Sequence, residues 1–180
     1  MPYDLSRLDL LLVEADSSMQ ATWRSLFGSL GIRPPTCVPG IAQAWAALAD
    51  RPAETSTGNK IDALICRWEL PGPVGDGGDG GIALARRIRQ DPASPNPFLP
   101  IIVATSTVTR ERVRAALDAG VNEILVLPPS AKALEARLRE IIERPRKFVR
   151  GENYFGPDRR RQVRGDYAGP FRRGDDKRKR

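Results

Sequence analysis

The chain has 180 residues, enough for one ordinary domain plus an extension, and 41% of them are hydrophobic, enough for one core. It contains no histidine, which excludes Ser-His-Asp and Cys-His catalysis and removes the commonest zinc ligand. The net charge of +7 belongs to the C-terminus: residues 146–180 carry 13 Lys and Arg against 5 Asp and Glu, and the rest is close to neutral. No stretch approaches the ~20 apolar residues of a membrane span. No basic segment followed by an apolar run opens the sequence, so neither a secretory signal nor membrane insertion is expected, and a cytoplasmic protein is. Cys37 and Cys66 have no metal-ligand spacing and read as reduced, buried thiols.

Along the first 145 residues, strand-like and helix-like patterns alternate. Leu8 to Val13 is a short apolar run that predicts a buried strand. Ser17 and Ser18 are placed to cap the next helix, where Trp23, Leu26, Phe27 and Leu30 share one face and Gly31 ends it. Thr36 to Val38 predicts a second strand, and Ile41, Ala44, Trp45 and Leu48 a second helix. After a polar loop, Ile61 to Cys66 predicts a third strand, and Ile82, Ala85 and Ile88 a third helix. Pro92, Pro95 and Pro97 break the chain before a fourth strand at Ile101 to Ala104. Val113, Ala116 and Leu117 predict the inward face of a fourth helix that stops at Gly120. Ile124 to Val126 predicts a fifth strand, and Leu134, Leu138 and Ile141 a fifth helix. Five apolar strands alternating with five helices predict an α/β fold: a doubly wound, five-stranded parallel sheet of the flavodoxin type. Ligands of such folds sit at the carboxyl ends of the strands.

Those strand ends read Val13-Glu14-Ala15-Asp16, Cys66-Arg67-Trp68-Glu69, Ala104-Thr105-Ser106 and Val126-Leu127-Pro128. Together they resemble the CheY-like receiver domains of bacterial response regulators, over about residues 8–143. That family carries an acidic pair after strand one and a phosphate-accepting Asp after strand three. Thr or Ser follows strand four, and Lys-Pro follows strand five. The spacing from Thr105 to Ala119-Gly120 and Pro128 also fits. The resemblance implies a receiver fold without receiver chemistry. The acceptor position is Arg67, the lysine position is Leu127, and the acidic pair is Glu14 and Ala15, with Asp16 one place late. Only Thr105 and, by charge, Glu14 remain. Receivers hold Mg²⁺ on clustered carboxylates, whereas a guanidinium offers donors only. Loss of aspartyl phosphorylation is expected. Arg67 is expected to pair with Glu14 or Asp16, the alternative being a side chain that leans into solvent.

The glycine-rich loop from Pro71 to Gly81 lacks the Walker lysine of a phosphate cradle and the closing Glu of a calcium loop, and reads as a mobile insertion. The basic tail holds a repeat. Tyr154-Phe155-Gly156-Pro157-Asp158-Arg159-Arg160 recurs as Tyr167-Ala168-Gly169-Pro170-Phe171-Arg172-Arg173, with Arg161, Arg164 and Asp166 between the copies. Gly-Pro is expected to turn the chain in both. Arginine binds phosphate bidentately, reads the O6/N7 edge of guanine and stacks on a base. Tyr154, Tyr167 and Phe171 add stacking surfaces, and Asp158 and Asp166 can accept from guanine N1 and N2. The bland alternative is a solvated tail that adheres to any polyanion.

Receiver and tail together resemble the Cle group of CheY-like regulators. That resemblance implies cyclic di-GMP as the ligand and the flagellar motor switch as a protein partner. The reading is a non-enzymatic signalling adaptor without a cofactor. It has a receiver over 1–145 and a tail over 146–180 that is largely disordered until ligand binds. The docking face is expected around the fourth helix, fifth strand and fifth helix. The rivals are a nucleic-acid binder and a constitutive protein-interaction module.

Overall fold

A computed structural model of the protein describes residues 3–51, 60–71, 78–152 and 154–159. A 3₁₀ turn at Leu5–Arg7 leads into β1 (Leu10–Val13), α1 (Ser17–Ser29), β2 (Thr36–Val38), α2 (Ile41–Ala49) and β3 (Ala63–Arg67). Then come α3 (Gly80–Gln90), β4 (Ile101–Thr105), α4 (Arg110–Asp118), β5 (Glu123–Val126) and α5 (Ala131–Glu143). The five strands form one sheet in the order β2-β1-β3-β4-β5, and every pairing is parallel.

Because side chains alternate across a strand, each strand feeds two cores. Leu11, Val13, Leu64, Cys66, Ile101 and Val103 pack with α2, α3 and Ala116 of α4. Leu10, Leu12, Ala63, Ile65, Ile102 and Ala104 pack with Trp23 and Phe27 of α1 and with Leu134, Leu138 and Ile141 of α5. Both faces are therefore covered, as the near-continuous apolar strands predict. Burial pushes the Cys66 thiol up to about 12, so it is inert at neutral pH. No helix among the described residues is long and apolar enough to cross a membrane.

Local expectations need four corrections. Asp16, not Ser17 or Ser18, caps α1: its Oδ1 accepts the Met19 N–H at 2.8 Å, and the serines are the first helical residues. Only Ala116 of the three apolar α4 residues is fully buried; Val113 and Leu117 are half-buried and line a groove. The third correction concerns the tail. The tail is expected to be largely disordered, but its first part forms an antiparallel hairpin, β6 (Phe148–Gly151) and β7 (Tyr154–Pro157), seated on the receiver. The loop residues 72–77 lie outside the described residues, as do 160–180.

Arg89 of α3 is the pillar under that hairpin. It is 4% exposed and donates to the carbonyl oxygens of Gly120 and Pro97 and to Asn122 Oδ1, at 2.8–3.0 Å. Burial lowers its pKa to about 9, so it stays charged at neutral pH. Its guanidinium lies 5.0 Å from the Phe148 ring, and Phe148, Phe155 and Phe98 form a three-ring cluster with centroids 5.1–5.5 Å apart.

Fourth, Gly156 does not turn the chain. It lies within β7, and the chain reverses between Gly151, the last residue of β6, and Tyr154, the first of β7. Its role is close approach: a Cβ there would meet the Gly120 Cα at 2.8 Å and the Tyr154 hydroxyl at 2.7 Å. Gly120 has φ +76° and an equally tight neighbour, the Phe155 carbonyl oxygen at 2.9 Å from its own ideal Cβ. Gly156→Ala is therefore expected to lower stability by ~1–3 kcal/mol through overpacking. Urea denaturation would measure it, and an unchanged midpoint would mean that the hairpin does not dock this closely.

Candidate functional site

The carboxyl ends of β1, β3 and β4 bring Glu14, Arg67 and Thr105 together, as the strand-end reading expects. Glu14 is 2% exposed, and its Oε1 accepts the Asp16 N–H at 3.0 Å. Arg67, 28% exposed, places Nη1 at 3.6 Å from Glu14 Oε2 and Nε at 3.5 Å from Glu69 Oε2. The guanidinium thus pairs inward with Glu14, and not with Asp16, whose carboxylate is spent on the helix cap.

Glu69 was missed in the sequence, and it organises the other half of the pocket. Its Oε1 accepts from Thr105 Oγ1 at 2.8 Å and from Arg112 Nη1 at 2.6 Å. Arg112 also donates to Thr105 Oγ1 at 2.7 Å and lies 4.9 Å from the Trp68 ring. The Trp68 indole N–H donates to Asp79 Oδ1 at 2.6 Å, tying the end of β3 to the start of α3. Glu69 Oε2 is buried without a hydrogen bond of its own and faces Arg67. Burial raises the Glu69 pKa, but the hydrogen bonds from Arg112 and Thr105 more than offset this and hold the carboxyl below its ordinary range.

Both glutamates already face Arg67, and Ala15 and Leu127 offer no ligand or ammonium. Among the described residues no three His, Cys, Asp or Glu side chains are grouped to hold a metal ion. What the pocket does instead is alternate cation and anion: Glu14, Arg67, Glu69 and Arg112 in line.

Two predictions follow from this chain of charges. Arg67→Ala strands the buried Glu14 and leaves Glu69 facing it. Removing one partner of a fully buried pair costs ~3–5 kcal/mol and an exposed one below ~1, so a partly exposed Arg67 should cost about 1–3. An unchanged melting temperature would mean that the pairing contributes nothing. Glu69 titrates below its unfolded value, so its contribution is present above the ordinary glutamate range and is lost as pH falls through the folded pKa. Glu69→Gln should therefore flatten the acid limb of the stability–pH curve, and an acid limb identical to wild type would overturn that assignment.

The tail residues are divided. Tyr154, Gly156, Pro157, Asp158 and Arg159 are described; Arg160, Arg161, Arg164, Asp166, Tyr167, Gly169, Pro170, Phe171, Arg172 and Arg173 lie outside the described residues. The Tyr154 hydroxyl donates to the Pro157 carbonyl at 2.7 Å. Arg159 stacks 4.0 Å over the Tyr154 ring, and its Nη1 lies 2.9 Å from Asp118 Oδ1 at the end of α4. Arg146 donates to the Asn122 carbonyl and pairs with Glu123 at 3.7 Å. Arg146 and Arg159 form one wall of a 450 Å³ groove between α4 and β5, whose apolar lining includes Val108, Val113, Leu117 and Val126.

Comparison with known proteins agrees with this fold. The chain is 29% identical over 137 residues to the chemotaxis protein CheY of Pseudomonas aeruginosa, covering 76% of this chain and 98% of that one. A Chloroflexus aurantiacus structure assigned provisionally as a response regulator matches with TM-score 0.61 and 26% identity, over 76% and 98% of the two chains. The receiver domain of a Pseudomonas aeruginosa sensor histidine kinase matches with TM-score 0.56 and 26% identity, over 74% and 94%; that domain was solved with magnesium in its active-site cleft. No protein-family model matches the chain.

Proposed function

We propose that the chain, which has the fold of CheY-like receiver domains and is similar to them in sequence, works as a non-enzymatic signalling adaptor independent of aspartyl phosphorylation, with its arginine-rich tail as the input. The observation that carries this is Arg67 at the acceptor position, placed between Glu14 and Glu69. A pocket closed by its own ion pairs has no use for a phosphoryl group, so the signal enters elsewhere. The tail supplies the second input: a register of two Tyr-x-Gly-Pro-x-Arg-Arg copies. Its arginines suit phosphates and guanine edges, and its tyrosines suit base faces. Cyclic di-GMP, with two of each group, is the proposed ligand, and the output is a protein partner such as the flagellar motor switch. The groove beside α4 and β5 supports that output, because it combines apolar lining with the cations Arg137, Arg146 and Arg159.

The test is calorimetric titration of the full-length protein with cyclic di-GMP, cyclic di-AMP and a short DNA duplex at two salt concentrations. Tight binding of cyclic di-GMP with little salt dependence is expected, and cyclic di-AMP should bind far more weakly. Long polyanions lose affinity steeply with salt through counterion release. Equal competition by cyclic di-AMP, or duplex binding tighter than dinucleotide binding, would put the nucleic-acid reading first. A truncation control should end at Arg159 and not before the hairpin, because removing β6 and β7 would uncover Arg89 and strip Phe98 of its ring partners Phe148 and Phe155.

A further inference from the structure

Arg159 is one of the arginines assigned to the ligand, yet in this structure it is engaged twice within the chain. Its guanidinium covers the Tyr154 ring at 4.0 Å and pairs with Asp118 at 2.9 Å. Tyr154 is in turn pinned by its hydroxyl to the Pro157 carbonyl. Asp118 is the last residue of α4, and Gly120, two residues on, is the seat of Gly156. One side chain thus joins the end of the hairpin to α4 and walls the α4–β5 groove. A guanidinium whose Nη1 is paired with a carboxylate and whose face covers a ring cannot offer that Nη1 to a phosphate and that face to a base until both contacts open.

We propose that Arg159 is a latch between the tail hairpin and α4 that an anionic nucleotide must open in order to bind the tail. The latch regulates the site assigned under the proposed function and rests on that reading for its ligand. Because coupling is reciprocal, whatever strengthens the Arg159–Asp118 pair weakens nucleotide binding by the same factor, and bound nucleotide loosens the hairpin end. Opening removes one wall of the groove, so the tail input and the docking face are joined through a single residue. Both partners are half-exposed, so the latch is modest. An exposed ion pair of this kind corresponds to about a threefold change in affinity.

The experiment uses full-length protein in three forms: wild type, Asp118→Asn and Glu111→Gln. The last removes an equal charge from α4 at an exposed first-turn site, so it controls for general electrostatics. Hydrogen exchange of residues 154–159 is measured first, without ligand. Asp118→Asn should raise it and Glu111→Gln should not; no rise in Asp118→Asn overturns the latch, whatever the ligand. Calorimetry with cyclic di-GMP follows. Asp118→Asn should bind about threefold tighter than Glu111→Gln, and cyclic di-GMP should raise exchange at 154–159 in wild type. Equal affinities of the two variants overturn the coupling. If cyclic di-GMP binds none of the three forms, the nucleotide assignment fails, while the exchange result still decides the latch.

Discussion

Incubated with acetyl phosphate and Mg²⁺, the protein is expected to gain no acyl phosphate, and beryllofluoride with Mg²⁺ is expected to leave its tryptophan fluorescence unchanged. The expected effect is a complete loss, because the acceptor carboxylate is replaced and Glu14 and Glu69 are held in ion pairs. Transfer needs a carboxylate nucleophile and a cation that neutralises the phosphoryl oxygens. Arg67 stands at the nucleophile's position and holds Glu14 and Glu69 in ion pairs. Arg112 and Thr105 claim the other Glu69 oxygen. The nearest spare aspartate, Asp16, accepts a helix N–H, so modifying it would also cost α1 its cap. Label that survives acid would come from Ser or Thr and would leave this prediction standing. A base-labile label mapped to Asp16 would sink it.

Alanine at Arg159 and Arg160 together, or at Arg172 and Arg173 together, is expected to abolish tight cyclic di-GMP binding. Hydrogen bonds to charged groups contribute ~1.5–3 kcal/mol each, so losing two arginines costs more than about a hundredfold in affinity. For the first pair, loss of the latch works in the opposite direction, but by only about threefold. Contact loss therefore dominates. Replacing Lys177 to Arg180 lies outside the repeat and should change affinity little. Calorimetry on the three variants decides the matter: equal, graded losses from all of them would mean that charge alone, and not the repeat, holds the ligand.

The fold was legible because each strand is a short apolar run bounded by Gly, Pro or polar residues, and each helix shows one apolar face. Thr36–Val38 follows from that pattern, and the order β2-β1-β3-β4-β5 is the one that the flavodoxin type implies. The pocket was half legible. Strand-end spacing led to Glu14, Arg67 and Thr105, but Glu69 and Arg112 belong to the site only through tertiary contact. Glu69 stands in the strand-end segment but off the family's motif positions, and Arg112 lies 43 residues from the Glu69 that it contacts, with nothing local to mark it. The hairpin had a signal that the charge of the tail obscured. Phe148-Val149 and Tyr154-Phe155 flank Gly151-Glu152-Asn153, which is a strand–turn–strand pattern. Reading residues 146–180 as one polar segment averaged that pattern away.

The cation between Glu14 and Glu69 is covalently part of the chain. Its effective concentration is fixed by the fold and is the same at every dilution. A chelator cannot strip it, and a change in cellular magnesium cannot compete with it. On the proposed function, the end of the sheet that is a variable input in an ion-dependent receiver is here a constant, and the domain's responsiveness comes from elements whose partners can exchange.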